Sequence, residues 1–272
     1  GSASSDRTAR VWSTDGGDPL ILRGHTDRVT GIDLGTGEQP IATISYDGTL
    51  RLWDPRGGRE RAVLRGHEGL VVTLARSPAG LLVTGSDDGT ARLWPDREST
   101  HAIVLRGHSK PVLSVSFDGS GTRVLTTSLD GTARVWNTLD GSVLATLRGH
   151  AESVWDAQFV GRDRVITVSN DHTIRVWSLV DEAPPIVLSG HLDAITDVAV
   201  SPDLTRFATA SGDHRAKLWH LDQLSTSPDE LLAALDRVTI FCLDPDQRVL
   251  TLGEAEVEAA AAFTSCMQRH DR

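Results

Sequence analysis

The chain is poor in cysteine, lysine and long apolar runs, and each shortage removes a class of protein. Its two cysteines, Cys242 and Cys266, both lie near the C-terminal end. A scaffold stapled by disulfides is excluded for everything before them, and a reducing, cytoplasmic setting is expected. No apolar run is long enough to span a bilayer as a helix. The opening residues, GSASSDRTAR, lack the apolar core of a secretory signal. Lysine occurs only at Lys110 and Lys217, so arginine supplies nearly all the positive charge. With abundant alanine, that composition fits a GC-rich bacterial gene. Net charge is −10, which disfavours a general grip on nucleic acid or an anionic membrane. No GxSxG elbow or phosphate loop appears, and no His or Cys pair has metal-ligand spacing. No catalytic, cofactor-binding or metal residues are therefore expected.

What the chain does have is an internal period. Gly-His recurs at His25, His67, His108, His150 and His191, in steps of 41 or 42. Tryptophan keeps the same step at Trp12, Trp53, Trp94, Trp136, Trp177 and Trp219. Between them stands Ser-x-Asp, at Ser4/Asp6, Ser45/Asp47, Ser86/Asp88, Ser128/Asp130, Ser169/Asp171 and Ser211/Asp213. Each Asp precedes its Trp by six residues, and each His precedes its Asp by 21 or 22. An active site is built once per domain. Ser, His and Asp repeated at one spacing therefore argue for a structural unit, leaving a Ser-His-Asp hydrolase as a remote alternative.

Segments between these markers, such as KPVLSVSF, RVLTTS, TARVW and SVLATL, are short, β-branched and alternating. Tight-turn chemistry (LDG, DGSGT) separates them. Four strands in about forty residues is what one propeller blade requires. In these residues the chain resembles the WD-repeat β-propeller family, over residues 4 to 221. RLWD at 51–54 carries the family's Trp-Asp pair, whereas the other repeats end WS, WP, WN, WS and WH. The resemblance implies an all-β propeller of five full repeats and a partial first blade. It also implies a hydrogen-bonded tetrad in each repeat. In the third, His108 would lie between Asp130 and Ser128, and Ser128 would accept from the Trp136 indole. The other tetrads would be His25–Ser45–Asp47–Trp53, His67–Ser86–Asp88–Trp94, His150–Ser169–Asp171–Trp177 and His191–Ser211–Asp213–Trp219.

The pattern departs from the family at both ends. Ser4, Asp6 and Trp12 have no Gly-His before them, so the first blade starts midway. A C-terminal part of a larger bacterial signalling protein is expected, with an effector domain upstream. The alternative is a free-standing six-bladed adaptor closed by its own tail. Residues 222–272 read as a helical extension. STSPDELLAALDR has a Ser227 cap and Pro228 at the first position, and GEAEVEAAAAFTSCMQRH has an apolar stripe. The segment between them, RVTIFCLDPDQRVLTLG, reads either as a strand hairpin or as part of that extension, which is favoured.

Function is sought where the repeats differ. The residue before each turn Asp is Ser5, Tyr46, Asp87, Leu129, Asn170 or Gly212. Three residues after each His come Arg28, Leu70, Pro111, Ser153 and Ala194, and five after come Thr30, Val72, Leu113, Trp155 and Thr196. In the family, both loops lie on one (top) face. A partner-binding patch is expected at Arg28, Tyr46, Leu70, Asp87, Leu129, Trp155 and Asn170, since interface hot spots favour Trp, Tyr and Arg. The expected partner is a protein or peptide. The arginines two before each tryptophan are too regular for a phosphate ring and read as framework.

Overall fold

Alternating Val, Ile, Leu and Thr segments fold into strands, and the short polar turns between them make every sheet an antiparallel meander. The computed structural model describes residues 1–94 and 101–221, which lie in a single unit. Among them are strands and no helix. The expected C-terminal helices, the segment between them, and Cys242 and Cys266 fall outside the described residues.

Six sheets follow one another along the chain. The first holds β1 (Ser2–Ala3), β2 (Thr8–Val11) and β3 (Leu20–Arg23). The second holds β4 (Val29–Asp33), β5 (Ile41–Ser45), β6 (Leu50–Trp53) and β7 (Glu60–Leu64). The third has β8 (Val71–Arg76), β9 (Leu82–Ser86), β10 (Ala91–Trp94) and β11 (Ile103–Leu105). The fourth runs β12 (Val112–Phe117), β13 (Arg123–Ser128), β14 (Thr132–Asn137) and β15 (Val143–Arg148). In the fifth are β16 (Val154–Val160), β17 (Arg164–Ser169), β18 (Ile174–Ser178) and β19 (Ile186–Leu188). The last is β20 (Ile195–Val200), β21 (Arg206–Ser211) and β22 (Ala216–His220). The leading strands β4, β8, β12, β16 and β20 pack against one another in that order, as propeller blades do around their inner strands. No described strand pairs the first sheet with the last.

Apolar side chains point from both faces of each interior sheet, so the core lies between sheets. Ala42, Ile44, Leu50, Leu52 and Leu64 of the second sheet meet Val71, Leu82 and Trp94 of the third. The same interlock joins the third sheet to the fourth through Trp136, and the fourth to the fifth through Trp177. Trp53, Trp94, Trp136 and Trp177 thus plug their blades into the preceding ones. Trp12, in the first described sheet, is 56% exposed. At the other end Leu218 is 60% exposed, where its counterpart Leu52 is 1% exposed beneath the next sheet.

Antiparallel alternation places the chain's loops at two ends. The Gly-His loop enters the leading strand and the Ser-x-Asp turn joins the second strand to the third, so both lie at one end, the top. The loops between first and second strands lie at the other.

Candidate interaction surface

Beneath the top end runs a repeated hydrogen-bond relay. In the fourth sheet His108 Nδ1 is 2.9 Å from Asp130 Oδ2, and His108 Nε2 is 2.8 Å from Thr126 Oγ1. The Trp136 indole N–H donates to the same Thr126 Oγ1 at 2.9 Å. Thr132 Oγ1 donates to Asp130 Oδ1 at 2.6 Å, and the Ser109 N–H caps Oδ2. The unit recurs around Thr43, Thr84, Thr167 and Thr209.

The bridging hydroxyl is therefore threonine, and the expected placement of Ser45, Ser86, Ser128, Ser169 and Ser211 between His and Trp is corrected. Threonine and serine stand two apart on one face of the second strand, but the serine lies at the strand's end. There Ser128 Oγ accepts the Asp130 N–H at 3.0 Å and donates to the Lys110 carbonyl at 3.0 Å, stapling the turn to the Gly-His loop. A hydroxyl ten residues before every periodic tryptophan (Ser2, Thr43, Thr84, Thr126, Thr167, Thr209) was the available signal. Ser2 fills this place in the first sheet, where its Oγ accepts the Trp12 indole N–H at 3.3 Å.

Charge states follow from the geometry. Burial holds His25, His67, His108 and His150 below the usual histidine range, against the upward pull of their Asp partners. Each is thus neutral at pH 7. A neutral ring that donates from Nδ1 to a carboxylate accepts at Nε2, so the threonine O–H donates to it and accepts from tryptophan. Every donor and acceptor named in the relay then has a partner. Burial tends to raise Asp47, Asp88, Asp130 and Asp171, but hydrogen bonds from the Thr, His and backbone N–H outweigh it and hold them at about 2. A hydrolytic serine has no place here, because histidine faces a fully buried threonine.

The regular arginines close the framework. Arg134 lies 5.9 Å over the Trp136 ring. Its guanidinium fills the space that a Cβ on Gly107 would need, 2.7 Å away, and Gly107 has φ 158°. The Gly of Gly-His is favoured by its backbone, and the arginine tip lies in the space a side chain would enter. Arg51, Arg92 and Arg175 sit against Gly24, Gly66 and Gly149 in the same way.

One inner carboxyl differs from the framework set. Asp156 accepts from Ser114 Oγ at 2.6 Å and from the Val198 N–H at 3.3 Å, tying three successive sheets. Burial and a hydrogen bond with Asp197 push it up to about 6, against the pull of those donors.

On top of this framework the variable residues meet in pairs. The Tyr46 N–H donates to the Arg28 carbonyl at 3.0 Å, Asp87 to Leu70 at 3.1 Å, Leu129 to Pro111 at 3.1 Å and Asn170 to Ser153 at 3.0 Å. Arg28 also places its guanidinium 5.5 Å over the Tyr46 ring. Trp155 is explained by a β-bulge. The pairing of β16 with β17 shifts register between Val154 and Asp156, and Trp155 is the extra residue. A bulge re-aims its side chain out of the pleat. The indole is 36% exposed, and its Nε1–H donates to Asn170 Oδ1. Thr30, Val72, Leu113 and Thr196 occupy the same bulge in their own sheets. The surface is continuous between sheets, since the Gly131 turn lies against the Glu152 carbonyl of the next sheet. Arg28 and Asp87 are exposed, whereas Tyr46, Leu70, Leu129 and Asn170 are half-buried. A groove of about 770 Å³ lined by Phe117, Arg123, Phe159 and Leu204 lies at the opposite end, away from all of these residues.

Comparison with known proteins finds partial relatives. A stretch of the chain is similar to the nuclear distribution protein PAC1 of Yarrowia lipolytica, 41% identical over 76 residues, which is 28% of this chain and 17% of that one. Coronin-7 of Bos taurus is 40% identical over 60 residues, 22% of this chain and 7% of its own. The human peroxisomal targeting signal 2 receptor is 33% identical over 79 residues, 28% of this chain and 24% of its own. This chain thus spans less than a quarter of each of these three relatives. The family model for the WD domain, G-beta repeat, matches residues 19–54, 58–95, 99–137, 141–178 and 183–220. Each match begins with the outer strand of one sheet and ends with the third strand of the next, so every repeat ties two blades together. With most of its length matched in register, the chain belongs to the WD domain, G-beta repeat family.

Proposed function

We propose that the chain is a non-catalytic protein-binding module whose partner, a protein or peptide, docks on the top face. The observation that carries this reading is the division of labour at that face. Repeated residues are used up in the relay below, while the residues that vary between repeats are paired above it at the surface. Arg28, Tyr46, Leu70, Asp87, Leu129, Trp155 and Asn170 form the binding patch. One relative is by name the receptor for a targeting signal, a role of the kind proposed here. The relatives come from a fungus and from mammals, so they lend no weight to a bacterial setting.

In this reading the module reports binding to an effector, in the cytoplasm, without nucleic-acid or membrane contact. A photo-crosslinking residue at Leu129 or Leu70 is expected to trap a protein in extract of the source cells, and one at Leu204 on the opposite face is not. Trapping from Leu204 alone would overturn the choice of face. Salt-sensitive DNA or RNA binding would overturn the choice of partner class.

A further inference from the structure

Resting on the top-face reading, we infer that the partner presents a cationic segment, an arginine or lysine beside an apolar residue, with the cation over the Trp155 indole and Glu152 as its counter-charge.

The first ground is the indole itself. The bulge lifts Trp155 out of the sheet, and the hydrogen bond to Asn170 Oδ1 holds the ring in one orientation. That contact uses the N–H edge and leaves the π-face, which attracts cations. The chain's own arginines cover other rings. Arg28 lies over Tyr46, Arg134 over Trp136 and Arg175 over Trp177, and among the described residues no such cation is found over Trp155.

Charge is the second ground. The Gly-His loops and Ser-x-Asp turns of the top face carry Asp27, Glu68, Asp87, Glu152 and Asp193 at variable positions. None of these carboxylates is in an ion pair among the described residues, whereas Asp33, Asp54 and Asp118 elsewhere are paired with Arg76, Arg61 and Arg123. The cations at corresponding positions are Arg28, already engaged with Tyr46, and Lys110. A net charge of −10 adds a long-range pull of the same sign.

Contiguity is the third. The Leu129–Asp130–Gly131 turn lies against the Glu152 backbone, and Ser153, next to Glu152, accepts the Asn170 N–H. Leu129, Glu152, Asn170 and Trp155 therefore form one patch, with an apolar residue, an acid and an aromatic side by side. An anionic partner would meet unpaired carboxylates here, and a purely apolar one would leave them desolvated and unpaired.

The test uses the full chain with two short synthetic peptides, glycine-spaced Arg-Leu repeats and their Glu-Leu counterparts, at 0.15 M salt. The readout is the indole N–H resonance of Trp155, assigned with Trp155→Phe. The arginine peptide is expected to shift this resonance saturably and the glutamate peptide to leave it in place. Trp155→Leu should weaken arginine-peptide binding by about fivefold or more, the loss of one cation–π contact. Glu152→Lys, at an exposed loop position, should weaken it without touching the aromatic. Equal shifts from both peptides, or wild-type binding by both variants, would overturn the cationic assignment. The crosslinking result from Leu129 and Leu70 would still stand, so failure of the chemistry is distinguishable from failure of the face.

Discussion

Residues 128 and 129 are neighbours on one turn, yet they belong to different parts of the molecule. Ser128 is the same residue in every full repeat and is buried against the Gly-His loop. Leu129 changes from repeat to repeat and faces outward beside the next blade's loop. The contrast extends over the whole top end. The repeated His, Asp, Thr and Trp are hydrogen-bonded to one another, so changing one orphans its partners. Variable positions share only backbone hydrogen bonds or single contacts, so changing one alters the surface and leaves the relay alone. Stability and binding are therefore separable within a few ångströms.

The largest effect should come from acid, which strikes all framework units together. His25, His67, His108 and His150 bind protons less readily folded than unfolded, so stability falls as pH drops below their unfolded value near 6.5. The paired aspartates add a second loss between 3.8 and about 2. Urea unfolding midpoints measured from pH 8 to pH 4 should decline from about pH 6.5 downward. A flat profile across that range would deny the neutral relay.

Next is a single break in one relay. Thr126→Val keeps the shape but leaves the Trp136 indole without an acceptor and His108 without a donor. At roughly 1–3 kcal/mol for each of these two orphaned buried groups, the loss should be about 2–6 kcal/mol by urea denaturation. Ser128→Ala should cost less, since it loosens a turn near solvent and leaves the indole and imidazole paired. Equal losses would restore serine as the bridge.

A change of opposite sign is expected at Asp156. Its folded pKa of about 6 lies above the unfolded 3.8, so the fold carries a penalty at neutral pH that fades as pH falls between those values. Asp156→Asn should stabilise by about 1–2 kcal/mol at pH 7 and show no gain near pH 4. Thermal melts at both pH values check this.

The smallest effect concerns the turns. Gly48, Gly89 and Gly131 adopt φ near +78°, whereas His172 occupies the corresponding place with φ 65° and His214 with φ 64°. A left-handed conformation disfavours any residue with a Cβ, so His172→Gly should stabilise by about 0.5–1 kcal/mol in the same urea assay.

Much of the fold was readable because a repeat averages out local ambiguity. One His or Trp says little, but the same pair at a step of 41 or 42 marks strand, loop and turn. The His–Asp contacts were expected from the family resemblance that this spacing carries, and not from the spacing alone. The threonine was not singled out, because two hydroxyls two residues apart share a strand face and periodicity alone does not choose between them. Trp155 was visible as the tryptophan outside the period, but its projection was not. It depends on a bulge, which is a property of how β16 pairs with β17. The pairing of Arg28 with Tyr46 likewise arises only when loop and turn meet across a fold.

The central claim, that repeated positions hold the structure and variable ones do the binding, is tested most directly by one paired measurement. Thermal stability and crosslinked-partner yield would be recorded for Arg28→Ala/Tyr46→Ala/Trp155→Ala beside Thr126→Val. The triple variant is expected to melt within about 4 °C of wild type and capture no partner, and Thr126→Val to be less stable yet still capture it once folded. A triple variant that binds undiminished, or that unfolds as Thr126→Val does, would contradict the central claim.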